Sequence, residues 1–138
     1  MIEKIDRYYL EILSSDYLKA KSKPTEDLVI ELIDPISFEL NKFFYKQVGK
    51  KYQWVDRLVW ENKDWINYTS NNNLKTYVLK KKDDLVGYFE LIFNSKKNEC
   101  EIAYFGILED YFNKGFGGYM LSEALKNSFK LGANRAWV

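Results

Sequence analysis

One glycine-rich stretch of the chain has the residue types of an anion-binding turn. It comprises Asn113, Lys114, Gly115, Phe116, Gly117 and Gly118, and a segment of helical periodicity begins within it. Glycines leave backbone N–H groups uncovered, and the dipole of the helix adds partial positive charge at its start. Such turns also occur for packing reasons, so ligand binding and packing both stay open here. A P-loop is excluded because the stretch contains no Gly-Lys-Ser/Thr.

Two glutamates interrupt apolar strand segments and are candidates for acid–base chemistry. Glu90 lies within residues 88–93, and Glu101 lies between Cys100 and Ile102. An isolated carboxylate is costly among apolar side chains, and the chain has no histidine, so carboxylates are the natural bases. The alternative for each glutamate is a place on the wet face of an antiparallel sheet or beside a lysine.

A third candidate region is rich in aromatic residues and has no clean period. It covers residues 52–60, where two tryptophans, a tyrosine and an arginine occur within nine positions. The segment predicts an aromatic-lined site. A hydrophobic plug, with Asp56 and Arg57 at the surface, is the alternative interpretation of the same pattern.

Periodicity predicts the elements that must position these residues. Residues 99–105 alternate, which places Cys100, Ile102 and Tyr104 on one face of a strand, and Gly106 predicts a bulge that ends the pattern. From residue 116 the apolar spacing becomes helical, and Gly132 suits a left-handed C-cap. Two further strands, at residues 74–80 and 85–93, form an antiparallel meander with the first.

The remaining elements complete a mixed α/β (α+β) sheet. Strands are predicted at residues 7–13 and 28–33. A helix follows, with Asp34 as N-cap and Pro35 at its first position, and Gly49 ends it; Asn62 caps a second, short helix. The long helix after the glycine turn crosses over, so residues 135–138 are expected to form a strand parallel to the one at 99–105.

Composition limits the class of protein. With 138 residues, 46% of them hydrophobic, the chain predicts a single domain over residues 1–138 with one core. A net charge of +1 gives no general attraction to nucleic acid or to a membrane, and the absence of histidine argues against a metal centre. One cysteine excludes an internal disulfide. The N-terminus lacks the layout of a signal peptide, and we expect a cytoplasmic protein.

The strand, glycine turn and helix, in this order, resemble the acyl-CoA-binding motif of the GNAT superfamily of N-acetyltransferases. In that family the turn reads Arg/Gln-x-x-Gly-x-Gly/Ala. Gly115 and Gly117 match the two small positions, whereas Phe112 stands where the family usually has Arg or Gln. Segments upstream, among them Trp54-Val55-Asp56-Arg57, resemble an uncharacterised bacterial branch, so that the resemblance covers most of residues 26–138.

The resemblance implies a GNAT-like acyl-CoA N-acyltransferase fold and transfer of an acetyl group from acetyl-CoA, as co-substrate, to a primary amine by direct attack. Pantetheine would pair with the backbone of Phe105, Gly106 and Ile107, which would also supply the oxyanion donor. The pyrophosphate would lie on the N–H groups of the glycine turn at residues 113–118. Glu90 or Glu101 would be the base, and no metal is implied.

The same resemblance places the aromatic region at the acceptor side of the cleft. Tyr52, Trp54, Asp56 and Arg57 would then contact a small-molecule or peptide amine, whose identity the sequence does not reveal. Two alternatives from other classes remain: a non-catalytic acyl-CoA-binding module, and an interaction domain with an aromatic surface. Nucleic acid and membrane are not expected as partners.

The final residues raise a question about the end of the fold. Residues 136–138 predict the opening of a strand, whereas GNAT proteins continue into a further helix and one or two strands, and that helix commonly carries a tyrosine acid. The resemblance therefore implies a truncated chain without this acid, with weak acetyl-CoA binding and slow or no transfer. A sheet ending here would expose an apolar edge near Trp137 and favour a homodimer.

Overall fold

The structure is a computed structural model that describes residues 10–138. Within this range the chain forms three α-helices and six β-strands. In chain order they are β1 (Glu11–Ile12), β2 (Leu28–Leu32), α1 (Phe38–Tyr52), α2 (Asn62–Thr69), β3 (Leu74–Lys81), β4 (Asp84–Asn94), β5 (Glu99–Ile107), α3 (Phe116–Lys130) and β6 (Arg135–Trp137). Short 3-10 turns occur at Ser15–Tyr17 and Glu109–Tyr111.

The strands form one mixed sheet in the order β1-β6-β5-β4-β3-β2. The pair β5 and β6 is parallel, and the other neighbouring pairs are antiparallel. The predicted meander, the crossover through α3 and the parallel last strand are therefore confirmed. Among the described residues, no helix is long and apolar enough to cross a membrane.

The two faces of the sheet carry different cores. One face packs on α3 through a large apolar cluster that includes Phe89, Leu91, Ile102 and Met120. The other face packs on α1 through a smaller cluster built on Phe44, Val48, Val78 and Tyr88. On this second side the helices also cover polar side chains, among them Glu90, which are buried with the aromatic rings.

The limits of the first two helices differ from the prediction. Ser37, not Asp34, is the N-cap of α1, because the chain is still held to β3 at Ile33, whose N–H donates to the carbonyl of Thr76 over 2.9 Å. The helix also continues past Gly49 to Tyr52. Gly49 serves packing rather than termination, since a Cβ there would lie 2.8 Å from the Cβ of Trp54.

The N-cap of α2 is Glu61 rather than Asn62. The side chain of Glu61 accepts from the backbone of the first turn, and Asp64 accepts from the Glu61 N–H over 2.9 Å, which completes a capping box. The sequence signal was one residue off because both positions carry side chains that are able to accept a hydrogen bond.

The irregularity in β5 lies at Ala103, not at Gly106 as predicted. Glu90 pairs with Tyr104 and Leu91 pairs with Ile102, which leaves Ala103 as the extra residue. The side chain of Tyr104 consequently turns to the α1 face, whereas Ile102 stays on the α3 face. The expectation that Cys100, Ile102 and Tyr104 share one face was wrong for Tyr104, because an unpaired residue reverses the alternation.

Gly106 is required instead by a close approach between helix and strand. A Cβ at this position would lie 2.3 Å from Cγ1 of Val48, so α1 packs directly on the backbone of β5. The close contact holds the end of α1 beside the end of β5.

The sequence predicts an open edge at the last strand, but β1 covers part of the edge of β6. Glu11 pairs with Trp137 and Ile12 with Ala136, and Leu10 and Val138 exchange two backbone hydrogen bonds. Of the first predicted strand, residues 7–9 lie outside the described part of the chain. The N-terminal segment therefore covers the edge that residues 136 and 137 would otherwise present.

We predict that Gly106→Ala lowers the free energy of unfolding by about 1–3 kcal/mol, because the added methyl group overpacks against Val48. Adding Val48→Ala should recover part of that loss, so that the double variant is more stable than the sum of the two single changes allows. Urea denaturation of the four proteins measures this coupling. Strict additivity would contradict the close contact, and Gly118→Ala, on the exposed side of α3, is the matched glycine control.

Candidate active site

A cleft of about 570 Å³ opens where α1, β5 and α3 meet. The end of α1 forms one wall, the end of β5 forms the floor, and the turn that leads into α3 forms the other wall. The lining residues are Lys51, Tyr52, Trp54, Phe105, Gly106, Ile107, Tyr111, Phe112, Asn113, Gly115, Phe116 and Gly117. The aromatic region, the end of the motif strand and the glycine turn thus come together in one cleft.

The floor of the cleft is a strand edge with free backbone groups. β6 pairs only with Glu99, Cys100 and Glu101, and no described strand lies beside the later part of β5 on that side. Leu108 donates to the carbonyl of Val86, so by alternation the N–H and C=O groups of Phe105 and Ile107 point away from β4. An extended ligand with amide groups can pair with this edge as an additional strand.

The turn at the start of α3 presents uncapped N–H groups to the same cleft. Gly115 is the N-cap, in the left-handed region at φ 78°, and no side chain of residues 10–138 caps the helix. The N–H groups of the first turn have no partner within the helix, and they can bind an anion. Of the predicted turn residues, Lys114 and Gly118 do not line the cleft; Gly118 faces the side chain of Lys21 instead.

Glu90 lies outside the cleft, fully buried between the sheet and the helices of the α1 face. The phenol of Tyr68 donates to its Oε1 over 2.5 Å, and Nδ2 of Asn41 donates to its Oε2 over 2.7 Å. Nη1 of Arg57 lies 3.7 Å from Oε1. Burial raises the pKa of Glu90, while these hydrogen bonds and the charge of Arg57 act in the opposite direction.

Arg57 is enclosed by aromatic rings. Its guanidinium carbon lies 4.0 Å from the ring centroid of Tyr68, 4.1 Å from that of Tyr104 and 4.7 Å from that of Trp60. Its backbone N–H donates to the hydroxyl of Tyr45 over 2.8 Å. The cation and the rings together tie the segment between α1 and α2 to the sheet.

Glu101 does not line the cleft either, but its environment differs from that of Glu90. It is half-buried and makes no hydrogen bond or ion pair within residues 10–138. Its neighbours Cys100 and Ile102 pack on the α3 face, so its side chain belongs to the α1 face. Burial raises the pKa of Glu101, and the charge of Arg57 opposes that rise.

Only two of the four residues predicted for the acceptor side line the cleft. Tyr52 and Trp54 line the cleft, and the ring of Trp54 meets the ring of Tyr104 edge-on with centroids 4.9 Å apart. Asp56 is exposed, and Arg57 points into the aromatic enclosure rather than into the cleft. Only part of the predicted aromatic site therefore faces the place where a ligand fits.

Sequence reasoning missed several residues at both places. Lys51 and Tyr111 line the cleft, while Asn41, Tyr68 and Thr76 build the surroundings of Glu90; Nδ2 of Asn41 also donates to Oγ1 of Thr76 over 2.8 Å. A buried-face asparagine within the apolar stripe of α1 was the available signal for Asn41. No local signal marks the others, because they are brought there by packing.

Glu90 should make stability depend on pH. Its pKa in the fold is raised above the ordinary value of 4.5, so the folded state binds more protons and the free energy of unfolding falls as pH rises from about 4.5 through the raised pKa. We expect Glu90→Gln to remove this fall, which urea denaturation between pH 4 and 8 would show as a changing difference from the unmodified chain. A difference that stays flat over this pH range for Glu90→Gln would contradict the prediction.

Comparison with solved structures supports the fold. An aminoglycoside acetyltransferase from an uncultured soil metagenomic sample, in complex with sisomicin, superposes with a TM-score of 0.65 at 13% identity, covering 78% of this chain and 73% of that one. An acetyltransferase of Bacillus subtilis in complex with CoA gives 0.55 at 24%, with coverages of 77% and 60%. The ribosomal-protein-S18-alanine N-acetyltransferase of Escherichia coli gives 0.58 at 11%, with coverages of 77% and 62%.

The sequence itself carries the family assignment. No curated protein matches the chain significantly. The model of the acetyltransferase (GNAT) family matches residues 33–138, which include α1, the meander, the cleft and β6. The strand edge, the glycine turn and the mixed sheet agree with that match, and the chain belongs to the GNAT family of acetyltransferases.

Proposed function

We propose that this acetyltransferase transfers the acetyl group of acetyl-CoA to a primary amine. The observation that carries the proposal is that the free backbone edge of Phe105 and Ile107 and the uncapped start of α3 open on one cleft. The pantetheine arm of CoA contains amides that can pair with the backbone edge, and the pyrophosphate of CoA can bind the N–H groups at the start of α3. One ligand that carries both groups would therefore use both parts of the cleft.

In the proposed reaction a neutral amine attacks the carbonyl carbon of the thioester. One of the N–H groups of Phe105 and Ile107, which point to the open edge, is proposed to stabilise the negative charge that develops on the carbonyl oxygen, while the other is left for a pantetheine amide. The carbon–sulfur bond then breaks, the CoA thiolate leaves, and the new amide loses the proton that the amine carried. A base is required for that proton.

Glu101 is the more suitable of the two candidate bases. It is partly exposed and free of partners among the described residues, so it can take a proton directly or through a water molecule. Both oxygens of Glu90 accept hydrogen bonds, and no part of the side chain is exposed. We therefore assign Glu101 as the base and Glu90, through Arg57, to the support of the acceptor wall.

The acceptor is proposed as an amine on a small molecule or a peptide, since two of the structural neighbours act on an aminoglycoside and on a ribosomal protein, respectively. Tyr52 and Trp54 are the lining residues that we place against it. Asp56, which is exposed, would meet a charged acceptor only at the rim. A cytoplasmic location and association as a homodimer remain predictions from the sequence.

We expect acetyl-CoA to raise the melting temperature, and the shift to grow with the logarithm of its concentration above the dissociation constant, because a ligand that binds only the folded state stabilises it. Gly117→Val should abolish this shift while the free protein remains folded, since a Cβ at Gly117 makes an ordinary contact of 3.9 Å with Ile107 and its methyl groups would enter the cleft. Leu121→Val, on the exposed side of α3, is the matched control. A full shift in the Gly117 variant would refute the binding site.

Glu101→Gln should lower kcat by about 10²–10⁴-fold and flatten the rise of the rate with pH, because a base acts only when it is deprotonated. Sisomicin and a peptide that begins with alanine are suitable first acceptors, with release of the CoA thiol as readout. Acetyl-CoA affinity should be retained. If Glu90→Gln flattened the profile and Glu101→Gln did not, the assignment of the two carboxylates would be reversed.

A further inference from the structure

The glycine turn of this chain has a phenylalanine, Phe112, where the GNAT motif usually has an arginine or glutamine. A ligand phosphate at the turn would therefore lack one side-chain donor. The structure brings a cation to this position from another element. The ammonium of Lys51, in the last turn of α1, lies over the ring of Phe112 at 4.6 Å from the centroid.

Lys51 faces the same cleft as the backbone groups of the turn. It lines the cleft together with Phe112, Gly115 and Gly117. Its ammonium has no carboxylate within 4 Å in the part of the chain that the structure describes, although Glu109 and Asp110 border the neighbouring depression that it also lines. The ring of Phe112 and the close packing of α1 on Gly106 hold the lysine stem at the rim of the cleft.

We propose that Lys51 binds the pyrophosphate of the CoA substrate and so replaces the side chain that the turn lacks. This inference rests on the proposed function, since it assigns a further binding residue to the same cleft. An ammonium that lines the same cleft as a set of uncapped N–H groups offers a dianionic phosphate pair both charge and hydrogen-bond donors. α1, which leads into the acceptor wall, would thereby also contact the pyrophosphate of the CoA substrate.

An ordinary explanation for Lys51 is that it complements the dipole at the C-terminal end of α1, as basic residues in the last helical turn do. Lys50 offers a matched control, because it lies in the same last turn and is also exposed, yet it lines only the neighbouring depression. A dipole effect would be shared by both lysines. A contact with the ligand belongs to Lys51 alone.

The test is calorimetric titration of CoA into the unmodified chain, Lys51→Met and Lys50→Met. Methionine keeps the stem over Phe112 and removes the charge. We expect the dissociation constant to rise roughly five- to tenfold for Lys51→Met, less than for the loss of a buried charge-assisted hydrogen bond because Lys51 is exposed, and to stay within twofold for Lys50→Met. Lys51→Met should also show a weaker dependence of affinity on salt.

Dephospho-CoA, which lacks the 3′-phosphate but keeps the pyrophosphate, identifies the group that is bound. The same loss with dephospho-CoA supports the pyrophosphate, and disappearance of the loss would overturn the proposal in favour of the 3′-phosphate. Equal CoA affinity in the two lysine variants and the unmodified chain would overturn this inference alone. Absence of CoA binding to the unmodified chain would instead refute the proposed function on which it rests.

Discussion

The buried carboxylate of Glu90 is the interaction on which the α1 face of the sheet depends. α1 supplies Asn41 to it, α2 supplies Tyr68, and the segment between the two helices supplies Arg57. A carboxylate removed from water is costly unless its partners are all in place. Correct packing of both helices and of the intervening segment is therefore a condition for burying this charge, and these parts are expected to assemble together.

The aromatic enclosure of Arg57 follows from the same requirement. The side chain of Arg57 is long enough to reach Glu90 from the segment between α1 and α2, and its guanidinium lies against the rings of Tyr68 and Tyr104. Through Tyr104 and Trp54, whose rings meet edge-on, the enclosure is joined to the wall of the cleft. A charge that is buried for structural reasons thus fixes the geometry of a surface that we assign to acceptor binding.

The bulge at Ala103 is what connects the two faces of the molecule. It turns Tyr104 toward the aromatic enclosure and Phe105 toward the α3 side, within two successive residues. Beyond it, β5 has β4 on one side and no described strand on the other, while Gly106 lets α1 approach. The bulge therefore sets which side chains of β5 face the enclosure, and Gly106 lets the wall of the cleft approach the edge that β6 leaves unpaired.

The sequence by itself determined the meander, α3, Gly132 at its left-handed end and the parallel last strand, because period and turn chemistry are local and a crossover has one favoured hand. It also marked both glutamates, but not which one is free. That difference, like the purpose of Gly106, the pairing of β1 with β6 and the place of Lys51, was decided by the tertiary structure. Each depends on contacts between residues far apart in the chain, and such contacts leave no period or motif in the sequence around either partner.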